Sequence, residues 1–164
     1  FLDYPLETVQ NSTKEILQEL QMLNEDNQIT NFGKKSLALG VHPRFAFMIL
    51  GANDLGFAYE ACLLSAVLSE KDIFKNMSFN CDIYSRFLHL YEKDFDSAYI
   101  SSHNAKNVLK QAEFFYNKLK SIETINKNTR KINEENLSIL LLLARTFFGT
   151  TPSISAASVL SLSE

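Results

Sequence analysis

Lys106, Lys110 and Lys120 are the side chains best suited by type and spacing to recognition chemistry. On a helix they share one side, where three ammonium groups can meet a phosphate backbone. Such contacts supply charge without reading bases. Glu113 interrupts the row, so the same residues also read as an ordinary solvated helix face. Glu60 stands in an otherwise apolar run. A carboxylate there can do acid–base work, but it more often pairs with a basic group, and Arg44 is the first partner to try.

Other chemistry is poorly supplied. The sequence has five glycines and no G-x-x-x-x-G-K-[ST] run, so this segment has no phosphate cradle for ATP hydrolysis. His42, His89 and His103 lie far apart, and none pairs with Cys or an acid at ligand spacing, so no metal site is expected. There is no G-x-S-x-G turn. No catalytic residue is therefore assigned. The aromatic content is high, with 13 Phe and 6 Tyr. Most fall on helical stripes and read as core, while Tyr99 and Phe79, in loops, are candidates for base stacking.

These side chains need helices to position them. An apolar stripe of Leu6, Val9, Ile16, Leu20 and Leu23 predicts a first helix after Pro5. Gln28-Ile29-Thr30 suits one strand of a small hairpin, and Thr30 can cap a short helix that Gly40 ends. Helix, hairpin and helix make the outline of a degenerate winged helix. Pro43 starts the next helix, expected to reach Ala52. Phe57 to Leu68 is apolar on almost every side and should be central. Asp82 to Lys93 carries Ile83, Phe87, Leu90 and Tyr91 on one face. The clearest period runs through Ala105, Val108, Leu109, Ala112, Phe115, Tyr116, Leu119 and Ile122, with Ser101 or Ser102 as cap. Asn133 caps a last helix, Glu134 to Phe148, whose leucines face too many sides for a surface position. Gly149 to Glu164 is Ser-, Thr- and Ala-rich and without a basic residue.

At 164 residues the chain can bury a real core. Its net charge of −3 sets up no global field toward nucleic acid. Cys62 and Cys81 are too few for a disulfide framework and fit a reducing cytoplasm, the expected location. No run approaches the ~18 apolar residues of a membrane span.

Two motifs carry a resemblance. Leu37-Ala38-Leu39-Gly40-Val41-His42-Pro43-Arg44-Phe45-Ala46 is answered by Ala66-Val67-Leu68-Ser69-Glu70-Lys71-Asp72. Together they resemble the region that follows the motor domains in DEAH-box helicases, most closely the bacterial HrpB-type ATP-dependent helicases. Phe1-Leu2-Asp3-Tyr4-Pro5 is similar to the family's FLDPP segment, and Asp82-Ile83-Tyr84-Ser85-Arg86-Phe87 to its D-x-x-SR. The specific match covers residues 1–92, residues 93–148 match as helical pattern only, and residues 149–164 do not match.

The resemblance implies a mostly α region. A winged-helix-like segment would span 1–40, a helical bundle 41–148 and an unmatched tail 149–164. With no phosphate loop and no initiator Met, the chain is expected to be a piece of a larger machine. In that machine ATP and Mg would belong to the motor domains, and this segment would hold no cofactor. Its partners would be those motor domains and single-stranded nucleic acid, RNA being the expected kind, with no membrane. One helix of such a bundle contacts the passing strand in the related helicases. His42, Pro43, Arg44, Glu70, Asp72 and Arg86 belong to the matching motifs and read as structural, with Arg44 and Arg86 fixing the bundle through Glu60, Glu70 or Asp72. The alternative is a free-standing α-helical domain that binds protein.

Overall fold

The computed structural model describes residues 4–75, 83–95, 99–126 and 132–145. Among them the chain forms helices α1 (Glu7–Glu19), α2 (Asn31–Leu39), α3 (Pro43–Asp54) and α4 (Ala58–Ser69). Three more follow: α5 (Ile83–Tyr91), α6 (Ser102–Ile122) and α7 (Glu134–Arg145). The expected tail at 149–164, Cys81, Phe79 and the end of the last predicted helix lie outside the described residues.

Local chemistry fixes most helix ends. The Thr30 side chain accepts from the Gly33 amide at 2.9 Å and donates to the Gln21 carbonyl at 2.6 Å. One hydroxyl thus caps α2 and ties it to the turn after α1. Gly40 ends α2 at φ 65°, a left-handed position that costs glycine no Cβ clash. Pro43 opens α3 where its missing N–H is not needed, and His42 accepts from the Arg44 amide at 3.4 Å. Asn133 caps α7 by accepting from the Asn136 amide at 2.8 Å.

The segment read as a small hairpin is shorter than expected. Leu23 and Ile29 form a single antiparallel bridge, and no strand forms among the described residues. Gly33 sits under this turn. A Cβ there would drive into the Met22 carbonyl oxygen, so the close approach of α2 to the turn requires glycine. A second antiparallel bridge joins Phe74 and Ile100.

Helix α4 is the centre of the bundle. Ala61, Cys62, Leu63, Leu64, Ser65 and Ala66 are buried, and Ser65 returns its hydroxyl to the Ala61 carbonyl at 2.8 Å. Its small residues let α3, α5 and above all α6 approach. Helix α3 runs two residues past Ala52, with Gly51 inside it, and packs on α7. The buried Asn53 explains the extension. Its amide donates to the Thr124 carbonyl at 3.0 Å and accepts from the Asn126 amide at 3.2 Å, pinning the segment after α6.

One expectation needs correction. Helix α7 buries Leu137 and Leu140, but Leu142 is exposed and Leu141 only half-buried. Among the described residues α3 is the helix that covers it most. Helix α1 has no buried residue, and its Leu6, Val9 and Ile16 face solvent although their spacing is that of a core stripe. No helix of the described residues is long and apolar enough to cross a membrane.

Candidate nucleic-acid interface

Helix α6 is held from both of its ends. Ser101 caps it, accepting from the Asn104 amide at 3.3 Å. Ala105, Val108, Ala112, Phe115 and Leu119 bury one face against α4. That packing fixes the opposite face outward and puts Lys106, Lys110 and Lys120 in solvent, together with Glu113 and Asn117. At 1.5 Å per residue the row from Lys106 to Lys120 is about 21 Å long, roughly the reach of a few nucleotides.

The row is a ridge. The Lys120 ammonium lies 4.2 Å from the centre of the Tyr116 ring, a cation–π contact that holds its side chain near the helix surface. Lys118 turns the other way. Its ammonium donates to the Leu39 carbonyl at 3.3 Å and lies 5.1 Å from the centre of the Phe114 ring. It serves as a cation at the C-terminal end of α2, where the helix dipole is negative. Tyr99 is exposed just before α6, as its loop position predicts. Phe114, half exposed, is an aromatic that sequence reading missed. Its one signal is its place off the Ala112–Phe115–Leu119 stripe.

Arg86 meets Asp72 below the start of α6. The guanidinium donates to Asp72 Oδ2 at 2.7 Å. Asp72 Oδ1 accepts from the Phe74 amide at 3.0 Å, and the Asp72 carbonyl accepts from the Asn104 side chain at 2.6 Å. One residue therefore links the connection after α4 to α5 and to the first turn of α6. A cleft of about 230 Å³ opens beside the pair, lined in part by Glu70, Lys71, Ile73 and Val108. Arg86 Nε is buried there with no hydrogen-bond partner. Glu70 ends α4 with its side chain in solvent.

Arg44, His42 and Pro43 sit at the start of α3, away from the Asp72 cleft. The partner that the structure gives Glu60 is Tyr91 rather than Arg44, the first one to try on sequence grounds. Among the described residues Glu60 takes a hydrogen bond from the Tyr91 hydroxyl at 3.4 Å. Burial pushes the Glu60 carboxyl up, and hydrogen bonds from its own backbone amide and from the Tyr91 hydroxyl pull partly against that. Burial likewise raises the Tyr91 and Tyr59 hydroxyls, with the Glu60 charge adding to both. The buried Cys62 thiol is pushed up to about 12, so it behaves as an inert small apolar group. No three His, Cys, Asp or Glu side chains converge as a metal site among the described residues.

Comparison with solved structures gives a likeness of fold. The crystal structure of the E. coli DExH-box NTPase HrpB superposes with a TM-score of 0.60 at 22% sequence identity. The match covers 88% of this chain and 15% of that protein, so the chain spans a small part of its length. At that identity the likeness is one of fold. No protein-family model matches the chain, and no curated protein does.

Proposed function

We propose that this chain is a non-catalytic accessory region of an ATP-dependent DEAH-like helicase, which packs on the motor domains and guides single-stranded nucleic acid, RNA in the first instance. The observation that carries this reading is the fold likeness to a segment of a DExH-box NTPase over 88% of the chain. The His42-Pro43-Arg44 and Glu70-Lys71-Asp72 motifs support it from the sequence side. On this reading α1, the Leu23–Ile29 turn and α2 are a degenerate winged helix, and α3 to α7 are the bundle that borders the strand.

The mechanism is positional. The α4–α6 packing holds the Lys106, Lys110 and Lys120 ridge in a fixed register, and the Asp72–Arg86 link sets the angle of its N-terminal end. Three lysines give a weak, sequence-independent grip that a motor step can break and remake. ATP and Mg serve the motor domains. This segment has no G-x-x-x-x-G-K-[ST] phosphate loop.

A direct test is turnover. The purified chain should hydrolyse no ATP with or without single-stranded RNA. RNA-stimulated hydrolysis that a point change in this chain abolishes would contradict the reading. The second reading, a free-standing protein-interaction domain, draws on the uncovered apolar side of α1.

A further inference from the structure

Helix α1 is amphipathic, yet among the described residues nothing covers its apolar side. Leu6 is 74% exposed, Val9 53% and Ile16 39%. With Leu17 and Leu20 they share one stripe, of which Leu20 is buried and Leu17 packs on the core. A helix of 13 residues draws little stability in water from propensity alone. Its unused stripe therefore lowers the free energy only when something lies on it.

The stripe leads into a groove. Leu17 lines both, and Leu23, Ile29, Gly33, Leu37 and Val41 complete an almost wholly apolar hollow of about 220 Å³. Leu37, 75% exposed, extends the apolar surface beyond it. From Leu6 to Leu17 the stripe is about 16 Å long, three turns of a helix.

The surroundings are acidic. Glu7 and Glu19 border the stripe on α1, and Glu25 and Asp26 are exposed on the turn after it, against Lys14 and Lys34. Lys35 is tied to Glu123. A second copy would bring acid against acid. Residues 149–164 carry no basic residue and add Glu164, so the chain's own tail has the wrong charge as well.

We propose that the α1 stripe and the α1–α2–α3 groove dock an amphipathic, cationic helix from another protein, about three turns long. Its apolar residues, at i, i+3 or i+4 and i+7, meet Val9, Ile16 and Leu37, and its flanking Lys or Arg meet Glu7, Glu19 and Glu25. This surface lies apart from the lysine ridge and does not depend on the helicase reading.

The test uses the full chain and three 14-residue probe peptides: an amphipathic Leu/Lys helix, its Leu/Glu counterpart, and a Ser/Lys peptide of the same charge. Amide shifts are followed by NMR. The Leu/Lys peptide should bind, with shifts confined to α1, the 23–29 turn and α2. Val9→Asp combined with Ile16→Asp should weaken it at least tenfold with an unchanged melting temperature. Leu37→Asp is the alternative variant should the pair melt early. Absence of Leu/Lys binding, equal binding of either control peptide, or shifts centred on α6 would overturn the proposal. So would a dimer by light scattering that Ile16→Asp dissociates, because the face would then belong to a second copy.

Discussion

Arg86 and Asp72 are joined at 2.7 Å across the gap between α5 and the connection that leaves α4. Both side chains keep about a quarter of their exposure, so solvent screens the Coulomb term. The geometry matters more than the charge. Asp72 also accepts from the Phe74 amide and, through its carbonyl, from Asn104. Replacing Asp72 by Ala should cost about 1–3 kcal/mol, because it strands a backbone donor as well as Arg86. Arg86→Ala should cost less, and a double-mutant cycle should give a coupling near 1 kcal/mol or below. Urea melts of the four proteins measure all three terms. A coupling of several kcal/mol would place the pair in a drier site than the one described.

The centre of the core is α4. Leu64 is fully buried, so Leu64→Ala should destabilise by about 2–5 kcal/mol. Leu142 is exposed on α7, and Leu142→Ala should stay within about 0.5 kcal/mol. Denaturant melts of the two variants check the contrast. Equal losses would mean that α7 is covered on a second side.

Gly33→Ala forces a Cβ against the Met22 carbonyl oxygen, which is backbone and cannot swing away. The expected loss is about 1–3 kcal/mol, the usual cost of overpacking. Lys34→Ala, one residue on and exposed, is the control. A Gly33→Ala protein that melts with the parent would show that the turn can open without cost.

Glu60 gives a pH signature. Its folded carboxyl is raised above the ordinary 4.5 by burial, so the folded state holds its proton longer than the unfolded state does. Its contribution to stability is then full below the unfolded pKa and declines as pH rises through the folded one. Glu60→Gln removes that decline. The variant should gain on the parent as pH goes from about 4 to 7, and the two should converge at acid pH. Melting temperatures across that range test it. A gap that narrows toward neutral pH would mean that the hydrogen bonds from the Glu60 backbone amide and the Tyr91 hydroxyl outweigh burial.

What the sequence shows and what it hides divide along the range of the interaction. Thr30, Gly40, Pro43 and Asn133 are legible because a cap or a proline acts within a few residues of itself. The α6 core face is legible because a long helix repeats its period several times. Asp72 is one of three carboxylates the sequence offers to Arg44 and Arg86, and only the tertiary path selects it for Arg86. Asn53 reads as a helix-end residue, yet its amide holds a segment 71 and 73 residues away. The stripe of α1 is legible as a helix, because periodicity reports a face that wants cover, but it says nothing of whether cover is there. Phe114 carries a single signal, its place off the α6 core stripe, and one residue off a stripe is easily passed over.

The account rests on the α6 ridge being the surface that meets a single strand, and a salt titration of RNA binding tests that most directly. Fluorescently labelled single-stranded RNA is titrated at several salt concentrations with the parent and with Lys106→Glu, Lys110→Glu and Lys120→Glu combined. Three phosphate contacts at about 0.7 each predict that log K falls with log salt at a slope near −2. The triple variant, changed only at exposed positions, should melt like the parent and lose both the binding and the slope. Tight binding insensitive to salt, or a triple variant that binds as the parent does, would contradict the account and move the strand to another face.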